Sequence, residues 1–239
     1  MKGSPQRSAV SGQRRIVVVT GSDTGVGKTV LTALLTRRLR AEGVEAVALK
    51  PLCSGGREDA VALHAASGGA LTMDELNPWH FRAALAPVLA ARREGRGVRL
   101  AEVVARVRAV ARRFEVVLVE GAGGLLSPLG EDFDSRDLIA ALRGTPIVVI
   151  PNRLGAVNQA RLLLEALPKS ARGRVLVVLV DQSVVETAAR SNARLLEEWV
   201  SKVRITRLPW VSSVDSVGGT KRNRRLAAVL KPLVAALRG

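Results

Sequence analysis

With 239 residues, 47% of them hydrophobic, the chain can fill one sizeable α/β core; it has no apolar run near the roughly 20 residues of a membrane span. The single cysteine, Cys53, excludes an intramolecular disulfide and a cysteine-rich zinc site. The 37 Lys+Arg against 21 Asp+Glu, a formal +16, invite a nucleic-acid reading, but arginines scattered through helical stretches and only 3% aromatics for base stacking argue against a specific one.

In chain order, residues 1–14, "MKGSPQRSAVSGQR", read as a disordered basic tail without the apolar stretch of a signal peptide, and 15–239 as one domain expected in the cytoplasm. Continuous apolar, β-branched runs then recur at 15–20, 45–50, 115–120, 146–151, 174–180 and 203–208. Such runs suit strands buried on both faces of a parallel sheet. Segments of helical period lie between them, at 28–42, 57–67, 83–94, 100–113, 135–142, 155–167 and 187–200, with a last one near 224–237. Strand alternating with helix predicts a doubly wound, mainly parallel α/β domain. Its chemistry belongs at the carboxyl ends of the strands, just after Thr20, Leu49, Val119, Ile150 and Val180.

The first of these ends carries "GSDTGVGKT", Gly21 to Thr29. Glycines there let backbone N–H groups turn toward a phosphate, and a helix starting near Lys28 points its partly positive end at the same place. Lys28 can reach the outer phosphates and the Thr29 hydroxyl a Mg²⁺ ion. Yet Gly21 lies one residue further from Lys28 than the usual loop allows. The second end carries "LKPLCSGG", with Lys50 ahead of a small-residue loop and Asp59 placed to be a metal ligand. The third carries "VEGAGGLLSPLG", in which Glu120 is an acid suited to complete a Mg²⁺ site. After the fourth strand, "NRLGAVNQA" reads equally as an ordinary helix cap or as a carboxylate trap built from Arg153 and free N–H groups over Gly155 to Asn158.

"TGSDTGVGKT", "KPLCSG", "VEGAGGLLSPL", "LGAVNQA" and "LPW", in this order over residues 15–211, together resemble the dethiobiotin synthetase family, whose phosphate loop has the same longer form. The resemblance implies ATP- and Mg²⁺-dependent ring closure of 7,8-diaminononanoate with CO₂, through a carbamate and a carbamic–phosphoric anhydride, in a homodimer. It implies ATP contacts from Gly25, Val26, Gly27, Lys28, Thr29 and Val30, and from Glu120, Gly121, Ala122 and Gly123. The base is expected near Asp181, Gln182, Pro209, Trp210 and Val211. Lys50 takes the place of the family's active-site lysine, beside Lys28, with Thr24 and Ser54 at the carbamate and amine end. Thr29, Asp59 and Glu120 match the metal positions, and Arg153, Leu154, Gly155 and Asn158 the partner-supplied site for the far carboxylate.

Two departures stand out. Gly25 occupies a position where some members carry a bulkier or acidic residue, and "VDQS" places Asp181-Gln182 where the family usually presents Asn-Asp. An ionised Asp can only accept, so base selectivity for ATP is weakened there or Gln182 supplies the missing amide. His64 and His80 read as surface or loop positions, and the final helix as packing or dimer surface. Among rivals, an amidotransferase-type synthetase needs a second, glutaminase domain. A partition-type ATPase switch carries a lysine early in its loop, where this chain has Ser22 and Asp23. A degenerate nucleotide-binding relative would have no need of Lys28, Lys50 and Glu120 together.

Overall fold

The apolar runs become strands in a computed structural model that describes residues 14–201, 203–211 and 221–238. The basic tail, but for its last residue, and most of the stretch between Trp210 and the final helix lie outside the described residues. The strands are β1 (Arg15–Gly21), β2 (Ala46–Leu49), β3 (Leu52–Ser54), β4 (Trp79–Phe81), β5 (Val116–Glu120), β6 (Thr145–Asn152), β7 (Leu176–Asp181) and β8 (Arg204–Leu208). Six of them form one sheet in the order β2-β5-β1-β6-β7-β8, every pairing parallel. Every residue of β2, β5 and β7 is buried, which is why their sequences read as unbroken apolar runs rather than alternating ones.

The helices are α1 (Lys28–Ala41), α2 (Glu58–Ala66), α3 (Met73–Leu76), α4 (Pro87–Arg93), α5 (Leu100–Ala111), α6 (Ser135–Leu142), α7 (Ala156–Ala166), α8 (Lys169–Arg172), α9 (Asn192–Trp199) and α10 (Lys221–Arg238). From β1 the chain runs to the edge strand β2, returns to β5 beside β1, and then passes to β6, β7 and β8 on the other side; right-handed crossovers then place helices on both faces. Accordingly α1 packs against α2 and α10, α5 against α6, and α7 against α9. Helix α1 buries Leu31, Leu34, Leu35 and Leu39, the spacing of one helical face. It stops at Gly43, whose φ of 80° lets its N–H reach the Arg40 carbonyl while the Val44 N–H reaches that of Leu39. The final helix α10 buries Leu226, Leu230, Leu233, Val234 and Leu237 and packs on α1 and β8, so packing is its role in the described fold.

The differences from the sequence reading cluster around one insertion. The helix expected over 83–94 begins only at Pro87, because the proline ring holds Ala86 in an extended conformation, ψ 136°, and fixes the first helical turn. Strands β3 and β4 pair in parallel as a separate two-stranded sheet, each three residues long and too short to display a period. Beyond 187, a 3₁₀ turn over Thr187–Arg190 precedes α9 instead of one continuous helix.

Candidate active site

The strand order reverses direction around β1, and a crevice opens at that point over the carboxyl ends of the strands. The loop from Gly21 to Thr29 closes one side of it. Gly25 and Gly27 take φ of 73° and 98°, in the left-handed region, so glycine at position 25 serves the backbone turn. Gly27 also caps α1 and faces the Val180 side chain, which a Cβ would meet at 3.4 Å. Gly21 is held tighter still: a Cβ there would lie 2.8 Å from the Val149 carbonyl oxygen and from Val26. The glycine displaced by one position in sequence is therefore the one that lets the loop leave the sheet beside β6.

A cavity of about 780 Å³ lies under this loop. Thr24, Gly25, Gly27, Lys28, Thr29 and Val30 line it from the loop side, Lys50, Cys53, Ser54 and Asp59 from the segment after β2, and Ala122 and Gly123 from the turn after β5. The structure thus brings together residues from three separate strand ends that the sequence reading singled out one by one. Sequence reasoning missed Ser127, whose Oγ accepts the Gly124 N–H at 2.9 Å, and the apolar wall from Ala84 to Pro87. Pro87, which starts α4 inside a stretch read as one helix from 83, is the residue that could have pointed to that wall.

Charge is concentrated at the cavity's base. Lys50, 4% exposed, donates from Nζ to Glu120 Oε1 at 2.5 Å and to Asp59 Oδ2 at 2.9 Å. Thr29 Oγ1 donates to the same Glu120 Oε1 at 2.8 Å. Lys28 Nζ folds back onto the Asp23 carbonyl at 2.6 Å. Burial works against the charge of Lys50, but Glu120 and Asp59 outweigh it and hold the ammonium well above the usual lysine range. Burial, reinforced by the nearby Lys50 charge, pushes Lys28 down to about 8. Burial would also raise the Asp59 carboxyl, yet Lys50 keeps it below the ordinary range. Lys50 is therefore a fixed positive charge, while Lys28 is a cation whose carboxylate neighbours only partly compensate it and which an arriving phosphate would stabilise.

A hydroxyl and two carboxylates are hard oxygen donors of the kind Mg²⁺ takes, usually together with substrate phosphates and water. Glu120 Oε2 is buried and without a hydrogen-bond partner, an acceptor of the kind such an ion needs. Among the described residues no three His, Cys, Asp or Glu side chains group as a metal site, so the residues fit an ion shared with a phosphate rather than an all-protein cage. His64 and His80 stay out of the cavity lining; each is half-buried, with Nε2 on the backbone carbonyl of Leu71 or Gly55.

The remaining predicted positions lie elsewhere. Arg153, Leu154, Gly155 and Asn158 are exposed at the start of α7, outside this cavity, and the Leu154 N–H donates to Glu186 at 3.0 Å. Ser54 Oγ lines the cavity but donates to the Leu85 carbonyl at 2.6 Å. At the end of β7, both oxygens of the buried Asp181 accept from Arg207 Nε, at 2.7 and 3.0 Å, and Oδ1 also accepts from Asn152 Nδ2 at 2.7 Å. Gln182 turns its amide back to the Val180 carbonyl. Pro209 and Trp210 follow β8 directly, and Val211 is buried.

Comparison with known proteins places this geometry. A family model described as an AAA domain matches residues 15–217. The ATP-dependent dethiobiotin synthetase of Anaeromyxobacter dehalogenans strain 2CP-C is 41% identical over 90% of this chain and 97% of its own. That of Anaeromyxobacter sp. strain Fw109-5 is 48% identical over 72% of this chain and 78% of its own. Among solved structures, a ParA family ATPase from Chlorobium tepidum is similar in fold alone, with a TM-score of 0.60 at 14% identity, over 93% of this chain and 99% of that one.

Proposed function

The chain belongs to the ATP-dependent dethiobiotin synthetase family, and on that ground we propose that it closes a ureido ring by forming carbon–nitrogen bonds at the expense of ATP. The observation that carries the reading is Lys50, a buried, fully charged lysine at the end of β2 that reaches both Asp59 and Glu120 beside the phosphate loop. A phosphate-loop switch has no use for a second buried lysine on the substrate side. A ligase does, because a carbamate and a triphosphate are both anionic and must be brought together. At 4 Å, two unit charges interact by about 4 kcal/mol at an effective dielectric near 20.

The substrate is 7,8-diaminononanoate. One amine captures CO₂ and loses a proton, forming a carbamate; the γ-phosphoryl of ATP passes to a carbamate oxygen and ADP leaves; the second amine then attacks the carbonyl carbon and expels phosphate. Lys50 holds the carbamate and the transferring phosphoryl group, and its raised affinity for protons makes it a charge donor rather than a base. Thr24 and Ser54 lie on the cavity wall where hydroxyls can orient the amine end, Ser54 by exchanging its bond to Leu85. Backbone N–H groups from Gly25 to Val30 and the Lys28 ammonium hold the phosphates. Thr29, Asp59 and Glu120 would hold Mg²⁺, which when bound screens phosphate charge. Positioning and charge account for the rate without a covalent enzyme intermediate.

A homodimer completes the reading. The α7–α9 side exposes Leu154, Leu162, Leu195 and Trp199, an apolar surface that a second copy would cover, and this supports placing the Arg153 to Asn158 segment over a partner's cavity. The test is to incubate the purified chain with diaminononanoate, bicarbonate, Mg²⁺ and ATP and to look for dethiobiotin by mass, with light scattering on the same sample. Dethiobiotin and twice the chain mass of 25.4 kDa are expected. ATP hydrolysis without dethiobiotin would favour the switch reading.

A further inference from the structure

The polar network at the far end of the crevice is not used by the ring-closing chemistry. Asn152, Asp181 and the residues after Leu208 stand at the carboxyl ends of β6, β7 and β8, on the opposite side of the phosphate loop from Lys50 and Glu120. Gly27 abuts Val180, the residue before Asp181. A nucleotide with its phosphates on the loop has its base directed either into the Lys50 cavity, where the substrate must go, or toward Asp181. The second leaves the substrate its place.

At that position both oxygens of Asp181 are already engaged. Leu179 and Asp181 share a face of β7, and Arg207 is in register with Leu179, so its side chain reaches diagonally to Asp181. Asn152 Nδ2 holds Asp181 Oδ1 from the other side, and Asn192 Nδ2 in turn donates to Asn152 Oδ1 at 3.0 Å. Asp181, Asn152 and Asn192 are buried, whereas the Arg207 side chain is 33% exposed. Its Nε serves Asp181; among the described residues neither Nη makes a hydrogen bond. The carboxylate therefore acts as a fixed anchor, and the group it presents is a guanidinium edge with donors only.

We propose that Arg207, positioned by Asp181, is the residue that sets nucleobase selectivity, and that it favours bases offering two adjacent acceptors. Guanine (O6 and N7) and cytosine (O2 and N3) meet that condition; adenine places an amino donor next to each ring acceptor on the corresponding edges. GTP and CTP are thus substitutes for ATP in this chain. The inference rests on reading the Gly21–Thr29 loop as the nucleotide site.

Titration calorimetry with ATP, GTP and CTP tests it on the full chain, on Arg207→Met and on the Asp181→Asn/Arg207→Met double variant, with dethiobiotin formation followed alongside. The unaltered chain should bind GTP and CTP within about threefold of ATP or tighter. Arg207→Met should weaken GTP and CTP about tenfold more than ATP, as loss of a paired donor contact to a base requires. The double variant, which removes both charges and keeps an amide for Asn152 to donate to, should prefer ATP, and it decides the matter if the single variant does not fold. A preference for ATP above about tenfold in the unaltered chain, or equal weakening of all three by Arg207→Met, overturns the proposal. The expected binding pattern without dethiobiotin from any of the three leaves Arg207 standing and overturns the synthetase reading instead.

Discussion

Cys53 lines the same cavity as Lys50, with its thiol directed to the Gly56 carbonyl at 3.0 Å. Burial pushes that thiol up, so at a given pH less of it is thiolate than in an ordinary cysteine. Iodoacetamide should therefore label Cys53 more slowly than free cysteine at pH 7, faster as the pH rises, and more slowly again with ATP and substrate in place. Labelling as fast as free cysteine, with no protection, would contradict the cavity described. Lys50 and Glu120 were legible in the sequence because each directly follows or ends an apolar run, so its place at a strand end comes with the fold, and Lys28 because it follows the glycines of the loop after β1. The partner of Asp181 was not. Arg207 lies 26 residues away on the neighbouring strand, and only the register of β7 with β8 brings the two together. The sequence reading of Asp181 as an acceptor at the base position had no sight of that partner.

The element that aims Lys50 is the short β3–β4 sheet with α3. Asn77, 1% exposed, donates from Nδ2 to the Lys50 carbonyl at 2.7 Å and accepts from Arg57 Nε at 2.9 Å, while the Lys50 N–H donates to the Leu76 carbonyl. The backbone of Lys50 is thus pinned on both sides by residues from the end of α3. Asn77→Ala strands the buried Lys50 carbonyl and removes the acceptor of Arg57 Nε, at a cost of about 1–3 kcal/mol, and urea unfolding should show it as a lowered midpoint with loss of ring closure. An unchanged midpoint would mean that Asn77 holds nothing in place. The start of α3 went unread in the sequence, although Thr72 and Glu75, three residues on, form a reciprocal cap in the structure. The three-residue strands carried no signal, since a period needs more than one repeat to show.

At the scale of the molecule, six parallel strands bring loops that are separated by up to about 190 residues, from Gly21 to Leu208, to one edge of the sheet, and that convergence makes a site of them. The parallel sheet and the alternation of strand and helix were readable because both faces of each inner strand are buried, which leaves an apolar run in the sequence; the order of the strands was not. What the sequence left open was which strand ends share a cavity: those of β1, β2 and β5 do, while the β6 end faces outward with its exposed Arg153 and Leu154. On the substrate side of the phosphate loop, the Lys50 charge drives ring closure. Dethiobiotin formation by Lys50→Met is the measurement to make, with folding checked by circular dichroism and ATP binding by calorimetry. A folded protein that still binds ATP and makes dethiobiotin about a hundredfold to a thousandfold more slowly is expected; turnover at the unaltered rate would remove that role from Lys50.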